Sequence, residues 1–329
     1  MDVVEALLAK NLLPVLKHTN DTYRLVEQEG RRAAMGLLHQ KANVQVVVVH
    51  SRHSNAYAFA SENYYIIAVT DTLMQRLEET VKSYLKDERI RQFIAASTGI
   101  EYDISDPFPA AMTWGSRPDS QRSRIAYDHA TALFYEIIDS AWFFSVLHEV
   151  GHIDNGDADP INARPNVAAD AYGVIMESFE IESYGGYGPN ARKRHSEYSA
   201  DRSASCWITQ ILLEKYVDSL SEPDPFAMAH ILLSVFGIIA AVMLIAHHVP
   251  DTTQAMNLHN HPSFEIRLAG VWKGLEIVLN DPDMRRNPVG VLRIMRVLTE
   301  LRAMMETVSL GAPSGYDANS RSIMTISDD

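Results

Sequence analysis

From Phe226 to Val249 the chain carries no Asp, Glu, Lys or Arg: FAMAHILLSVFGIIAAVMLIAHHV. A helix made of such a stretch has no polar face, so something must cover it on every side. Lipid is one cover, since about 20 apolar residues cross a bilayer. The core of a large domain is the other. His230, His247 and His248 interrupt the run and no basic flank follows it, which favours protein as the cover. A chain of 329 residues can build a core of that size, and its composition, 47% hydrophobic and 22% charged, is ordinary for a globular protein.

The remaining composition narrows the partners. Net charge is −13, from 42 acidic and 29 basic residues. An acidic surface without a basic stripe repels phosphate backbones, so nucleic acid is a poor partner. A single cysteine, Cys206, excludes an internal disulfide framework and fits a reducing compartment. The N-terminal MDVVEALLAKNLLPVLKH carries Asp2 and Glu5 where a secretory signal carries positive charge. It reads as an amphipathic helix, and the expected location is cytoplasmic, with membrane association as the alternative.

Along the chain, residues 1–42 read as helical, with Pro14 and Gly30 as breaks. Val44 to His50, Tyr57 to Ala60 and Tyr64 to Thr70 read as strands, rich in β-branched and aromatic residues. Thr70-Asp71 starts one long charged helix reaching about Ser97. Residues 99–123 read as a long loop rich in Gly, Pro, Asp and Ser, of the kind that forms rims or lids. A helix from Ile125 to His152 follows, then the acidic turn-rich IDNGDADPINARPN. Asp154, Asp157 and Asp159 there do not match the calcium-loop spacing. Further helices are expected at 167–183, from near His195, and from Ser263 to Val308.

The helix ending at His152 delivers His148-Glu149-Val150-Gly151-His152 behind the apolar AWFFSVL. Two histidines four residues apart share one helix face, about one turn apart. Their imidazoles can grip one metal ion, with the glutamate beside the first placed to act on water. A catalytic zinc site takes three protein ligands and leaves a position open. Glu197, in Glu197-Tyr198-Ser199-Ala200-Asp201, is the candidate for the third. Asp201, one turn on, can hydrogen-bond the outer nitrogen of a ligand histidine. The plainer alternative is a solvated acidic face paired with Arg192, Lys193, Arg194 or Arg202. Cys206 reads as a small buried hydrophobe, with thiol ligation a minor alternative.

HExxH followed by E-x-x-A-D resembles the gluzincin metallopeptidases, in particular the CAAX prenyl endopeptidases and the heat-shock membrane peptidase HtpX. Asn55-Ala56-Tyr57-Ala58, then Ile66 to Thr70 with Leu73, is similar to that family's N-A-F-A strand and the strand-to-helix segment after it. His261-Pro262-Ser263-Phe264-Glu265-Ile266-Arg267 is similar to its H-P-x-x-x-x-R motif. The resemblance implies an α+β fold: a mostly helical zincin-like domain with a small sheet flanking the HExxH helix. One domain is expected over 1–305, with its core at 44–270 and a flexible tail at 306–329. It implies one Zn²⁺ per chain on His148, His152 and Glu197, with Asp201 behind them. Glu149 would be the general base. Asn55, Ala56, Tyr57 and Ala58 would lie beside an extended peptide or protein substrate, held by strand addition. His261 or Arg267 would support the site, through the oxyanion or through Asp201, with His259 an alternative to His261; His261-Pro262 equally fits a plain helix-start turn.

The expected activity is therefore zinc-dependent endopeptidase. A zinc-binding recognition protein that does not cut, or an integral membrane peptidase, are the alternatives. Were 226–249 to cross a membrane once, His261 and HEVGH would lie on opposite sides. Asp71 and Thr72 stand where the family has a small residue or glycine, the stretch between His152 and Glu197 is idiosyncratic, and the family's membrane hairpins are not evident. Phage-exclusion metallopeptidases of bacteria also carry HExxH in chains of this size.

Overall fold

The computed structural model describes residues 3–9, 12–14, 21–38, 43–51, 55–60, 64–103, 129–156, 191–216, 225–247, 264–281, 292, 294–301 and 303–304. The expected loop beyond residue 103, Asp157 and Asp159, the helix at 167–183, the tail at 306–329, and His259 and His261 lie outside them. Two short elements open the chain, helix α1 (Val3–Ala9) and strand β1 (Leu13–Pro14), followed by α2 (Asp21–Leu37). Then come β2 (Val44–His50), β3 (Ala56–Ala60) and β4 (Tyr65–Thr70). The rest is helical: α3 (Asp71–Lys86), α4 (Glu88–Thr98), α5 (His129–Asp154), α6 (Ala191–Tyr216), α7 (Pro225–His247) and α8 (Phe264–Leu279). The architecture is α+β, mostly helical with one small mixed sheet.

The sheet has the order β1-β2-β4-β3. β2 and β4 run parallel, while β1 and β3 pair antiparallel at the two edges. Alternation along the strands divides the sheet into two faces. Val44, Val46, Val48, Ile67, Val69, Ala56 and Ala58 join the main core with α5 and its neighbours. Val49, Ile66, Ala68, Tyr57 and Phe59 face the other way, under Leu7 and Leu12. β3 thus lies at an edge of the sheet and borders α5.

Thr70 joins strand to helix. Its hydroxyl accepts from the Leu73 amide at 3.2 Å, capping α3, and donates to the Asn55 carbonyl at 2.8 Å. Asp71 and Thr72 secure the same corner. Asp71 accepts from the Ser51 amide at 3.1 Å and pairs with His50 at 2.6 Å, while the Thr72 hydroxyl donates to the Ser51 carbonyl. Two sequence expectations are corrected. The helix from Thr70 breaks at Asp87, whose extended backbone ends α3 while its side chain caps α4 through the Arg89 amide at 2.8 Å. Gly30 sits inside α2 and breaks nothing; a methyl there would press on Val146 and Val46 at 3.3 and 3.4 Å.

The charge-free stretch forms α7. Its side chains from Ile231 to Val242 are buried on every side, in a helix that packs on α3, α4, α5, α6 and α8. Protein covers that described span, the cover that the histidines and flanks of the sequence favoured. Among the described residues no helix is long and apolar enough to cross a membrane. At Gly237 the α7 backbone meets α5 directly, because a Cβ there would run into the Ile137 carbonyl and Ser140. On an open helix surface, glycine to alanine would gain about 1 kcal/mol. At Gly237 overpacking outweighs that gain, and Gly237→Ala is expected to lose about 1–3 kcal/mol, read as a lower urea midpoint with unchanged slope.

Candidate metal centre

α5 is wrapped in apolar contacts: Phe144, Val146, Leu147 and Val150 are all fully buried around His148. The helix ends just past the HEVGH turn. Gly156 takes a left-handed backbone, φ 78°, and its amide closes on the Ile153 carbonyl at 3.0 Å. The two histidines therefore occupy the last turns of a helix that a dry wall holds rigidly.

α6 crosses α5 antiparallel at this point. A Cβ on Gly151 would lie 2.9 Å from the Ala200 Cα, so the two backbones touch where the glycine of HEVGH meets the alanine of EYSAD. That contact swings the Glu197 side of α6 over both imidazoles. The Nε2 atoms of His148 and His152 face each other at 3.1 Å. Glu197 Oε2 lies 3.3 Å from the first and Oε1 3.8 Å from the second. Donors arranged tetrahedrally around zinc at ~2.0–2.1 Å stand about 3.3–3.4 Å apart, and the three separations bracket that edge. Among the described residues, His148, His152 and Glu197 are the one group able to hold a metal ion. Two imidazole nitrogens and a carboxylate are donors that suit zinc.

Behind the group stands a buried charge network. Asp201, fully buried, takes the His148 Nδ1 at 2.8 Å. Arg267, from α8 and 2% exposed, donates to Asp201 from Nε at 2.9 Å and Nη2 at 2.7 Å, and its Nη1 reaches Glu197 at 3.2 Å. This two-pronged clamp fixes Asp201 against the ring. α8 comes close enough because positions 270 and 274 are glycines: a Cβ on Gly270 would stand 2.9 Å from the Tyr198 carbonyl, and one on Gly274 would run into the Arg202 carbonyl. The Ser205 hydroxyl adds a bond to the Val271 carbonyl at 2.8 Å.

The electrostatics of the pocket call for a positive charge. Burial works against a charged His148, yet the Asp201 carboxylate and the bonds from Asp201 and Glu197 push its pKa up to about 10. Burial works against a charged Glu197 too, but the His148 bond and the charges of Arg267 and the imidazoles hold it well below the usual carboxylate range. Glu149 goes the other way: burial lifts its pKa, with the two histidines pulling against that rise.

The expected residues thus fall into three sets. His148, Glu149, His152, Glu197, Asp201 and Arg267 come together, with the Glu197 and Asp201 carboxylates turned inward onto His148 and Arg267. Asn55 to Ala58 lie at the start of edge strand β3, next to α5. His261 is outside the described residues. Cys206 sits at the α6–α8 contact beside Gly274, away from the metal-binding group. One residue was missed. The Ser196 hydroxyl lies 3.1 Å from His152 Nδ1. Its signal lies in the packing: on antiparallel helices Ser196, just before Glu197, falls beside the second histidine as Asp201 falls beside the first.

Arg267→Leu would strand two buried carboxylates and is expected to cost about 3–5 kcal/mol in urea unfolding at neutral pH. Gly151→Ala would push α6 off α5; the protein should stay folded by circular dichroism, and any metal the His148, His152 and Glu197 group holds should bind more weakly in chelator competition.

Comparison with curated proteins yields no match, and comparison with solved structures yields none. A family model does match, over residues 63–283, a span that takes in β4, α5, α6 and α8 and with them every residue of the buried cluster. By that match the chain belongs to the Peptidase U49 family and is a peptidase, a hydrolase of peptide or protein substrates.

Proposed function

We propose that the chain is a zinc-dependent endopeptidase of gluzincin type, similar to the CAAX prenyl endopeptidases and HtpX, built as one zincin-like domain over 1–305. The observation that carries this reading is the Glu197 carboxylate facing both Nε2 atoms, within 3.3 and 3.8 Å. His148, His152 and Glu197 would hold the ion, and Asp201 and Arg267 would fix its ligands. When bound, zinc supplies a Lewis acid that lowers the pKa of water towards ~7 and polarises the scissile carbonyl.

The protein's own groups do the rest. Glu149 is 7% exposed, and its raised pKa brings it closer to that of the proton it must take. It removes the proton from the attacking water and delivers it to the leaving amine. A purely structural metal site has no need of that glutamate, which favours catalysis over recognition alone. An extended substrate would add to the outer edge of β3, where Asn55 to Ala58 offer backbone groups beside α5. The Asn55 amide and carbonyl are already engaged by Thr70, at 3.0 and 2.8 Å, which anchors the near end of that edge. Arg267 acts from behind, through Asp201 and Glu197, and His261 would stand on the same C-terminal side. The single cysteine suits work in a reducing compartment such as the cytoplasm.

Glu149→Gln is expected to retain stoichiometric zinc and lose at least about 100-fold in peptide cleavage, the scale of a general base. Zinc analysis and a fluorogenic peptide library read the two halves separately; full activity in that variant would remove Glu149 from the mechanism. A chelator should abolish cleavage in the wild-type protein, and added zinc should restore it.

A further inference from the structure

The two imidazoles of the cluster are held in different ways. His148 Nδ1 meets a fully buried carboxylate that a guanidinium grips with two bonds. His152 Nδ1 meets a neutral hydroxyl at the partly exposed end of the same helix pair. We propose that Ser196 is the positioning residue for His152: its hydroxyl accepts the Nδ1 proton and so turns the Nε2 lone pair to the metal. This inference rests on the metal reading of the cluster and assigns a role to a side chain outside the HExxH and ExxxD patterns.

The chemistry requires such a partner. A neutral imidazole has two tautomers, and binding a cation through Nε2 requires the proton on Nδ1. The ring can also turn about its Cβ–Cγ bond. An acceptor at Nδ1 selects the tautomer and limits the turn together. His152 needs that help more than His148, because its side chain is 14% exposed against 4%. The buried ring is already perpendicular to it, at 90°, with centroids 4.7 Å apart. A hydroxyl is also the partner that adds no charge. Glu149, Glu197 and Asp201 already set three carboxyls around one guanidinium. A fourth carboxylate at 196 would bring more negative charge to the ligand set and lessen the ion's pull on electrons.

Position in the helix explains why serine can do this. Ser196 and Glu197 are successive residues on α6, and they reach different nitrogens of the same ring. Asp201, one turn beyond Glu197, reaches the outer nitrogen of the other ring. One stretch of α6 therefore supplies the carboxylate and both outer-nitrogen partners. The Gly151–Ala200 contact brings that stretch near enough for a side chain as short as serine to span the gap.

The test compares Ser196→Ala with Ser196→Thr in the full chain, by zinc affinity in chelator competition and by thermal unfolding of the metal-free proteins. Loss of an outer-nitrogen partner lowers metal affinity about 10- to 100-fold. Ser196→Ala should show that loss, Ser196→Thr should stay within a few-fold of wild type because it keeps the hydroxyl, and the metal-free melting temperatures of all three should agree. Wild-type zinc affinity in Ser196→Ala overturns the assignment while leaving the metal site standing. So does an equal loss in both variants, which would mean packing and not the hydroxyl. A wild-type protein that binds no zinc overturns the metal reading itself.

Discussion

Two helix backbones touch at Gly151 and Ala200, and the geometry of the cluster follows from that touch. Any side chain larger than hydrogen at 151 would meet the Ala200 backbone at 2.9 Å. Helices that pack through ordinary side chains stand about 8–10 Å apart. At that distance a glutamate on one has to extend fully to reach histidines on the other. Here the axes are closer, and Glu197 and Asp201 reach two rings on α5 while sharing the oxygens that face His148 with Arg267. Gly270 and Gly274 repeat the device between α6 and α8, so three helices meet backbone to backbone around one polar centre.

Such a centre is costly without its full set of charges. Asp201 and Arg267 are nearly inaccessible to water, and each alone would be an uncompensated charge in a dry interior. Together with Glu197 they still leave a negative excess beside the imidazoles, which raises the pKa of His148 against its burial. A divalent cation meets the same demand more fully. The pocket is thus shaped by geometry and charge to the same end, and Glu149 shares that dry environment without an opposing clamp. Burial lifts its pKa, with the two histidines pulling against that rise.

Much of this could be read in the sequence because the chemistry is local. HEVGH and EYSAD each place two side chains on one helix face, and a period of 3.6 residues is enough to see it. The three strands show in their β-branched and aromatic residues for the same reason, and Thr70 as a cap. The illegible parts depend on contacts between elements. Gly30 looks like a break until α2 is seen against Val146. Asp87 looks like one more charge on a helix surface until the backbone turns there. Ser196 carries no signal until α6 is known to run antiparallel to α5, since only then does it fall beside His152 while Asp201 falls beside His148. Arg267 was placed by resemblance, and its three-way grip on Asp201 and Glu197 was visible only in three dimensions.

The charge-free helix now has a reason to be charge-free. α7 lies against α5, the helix that carries HEVGH, and Gly237 lets it approach to backbone contact with Ile137 and Ser140. A charged side chain between Ile231 and Val242 would be buried without a partner and would loosen α5 from that side. On the proposed metal reading α5 must be fixed, because a cation held at ~2 Å would tolerate little drift in His148 and His152. The composition that first suggested a bilayer therefore reflects the same demand as the polar cluster, seen from the other side of one helix. A rigid apolar wall behind α5 and a clamped carboxylate in front of it together keep two imidazoles and Glu197 aimed at a single point.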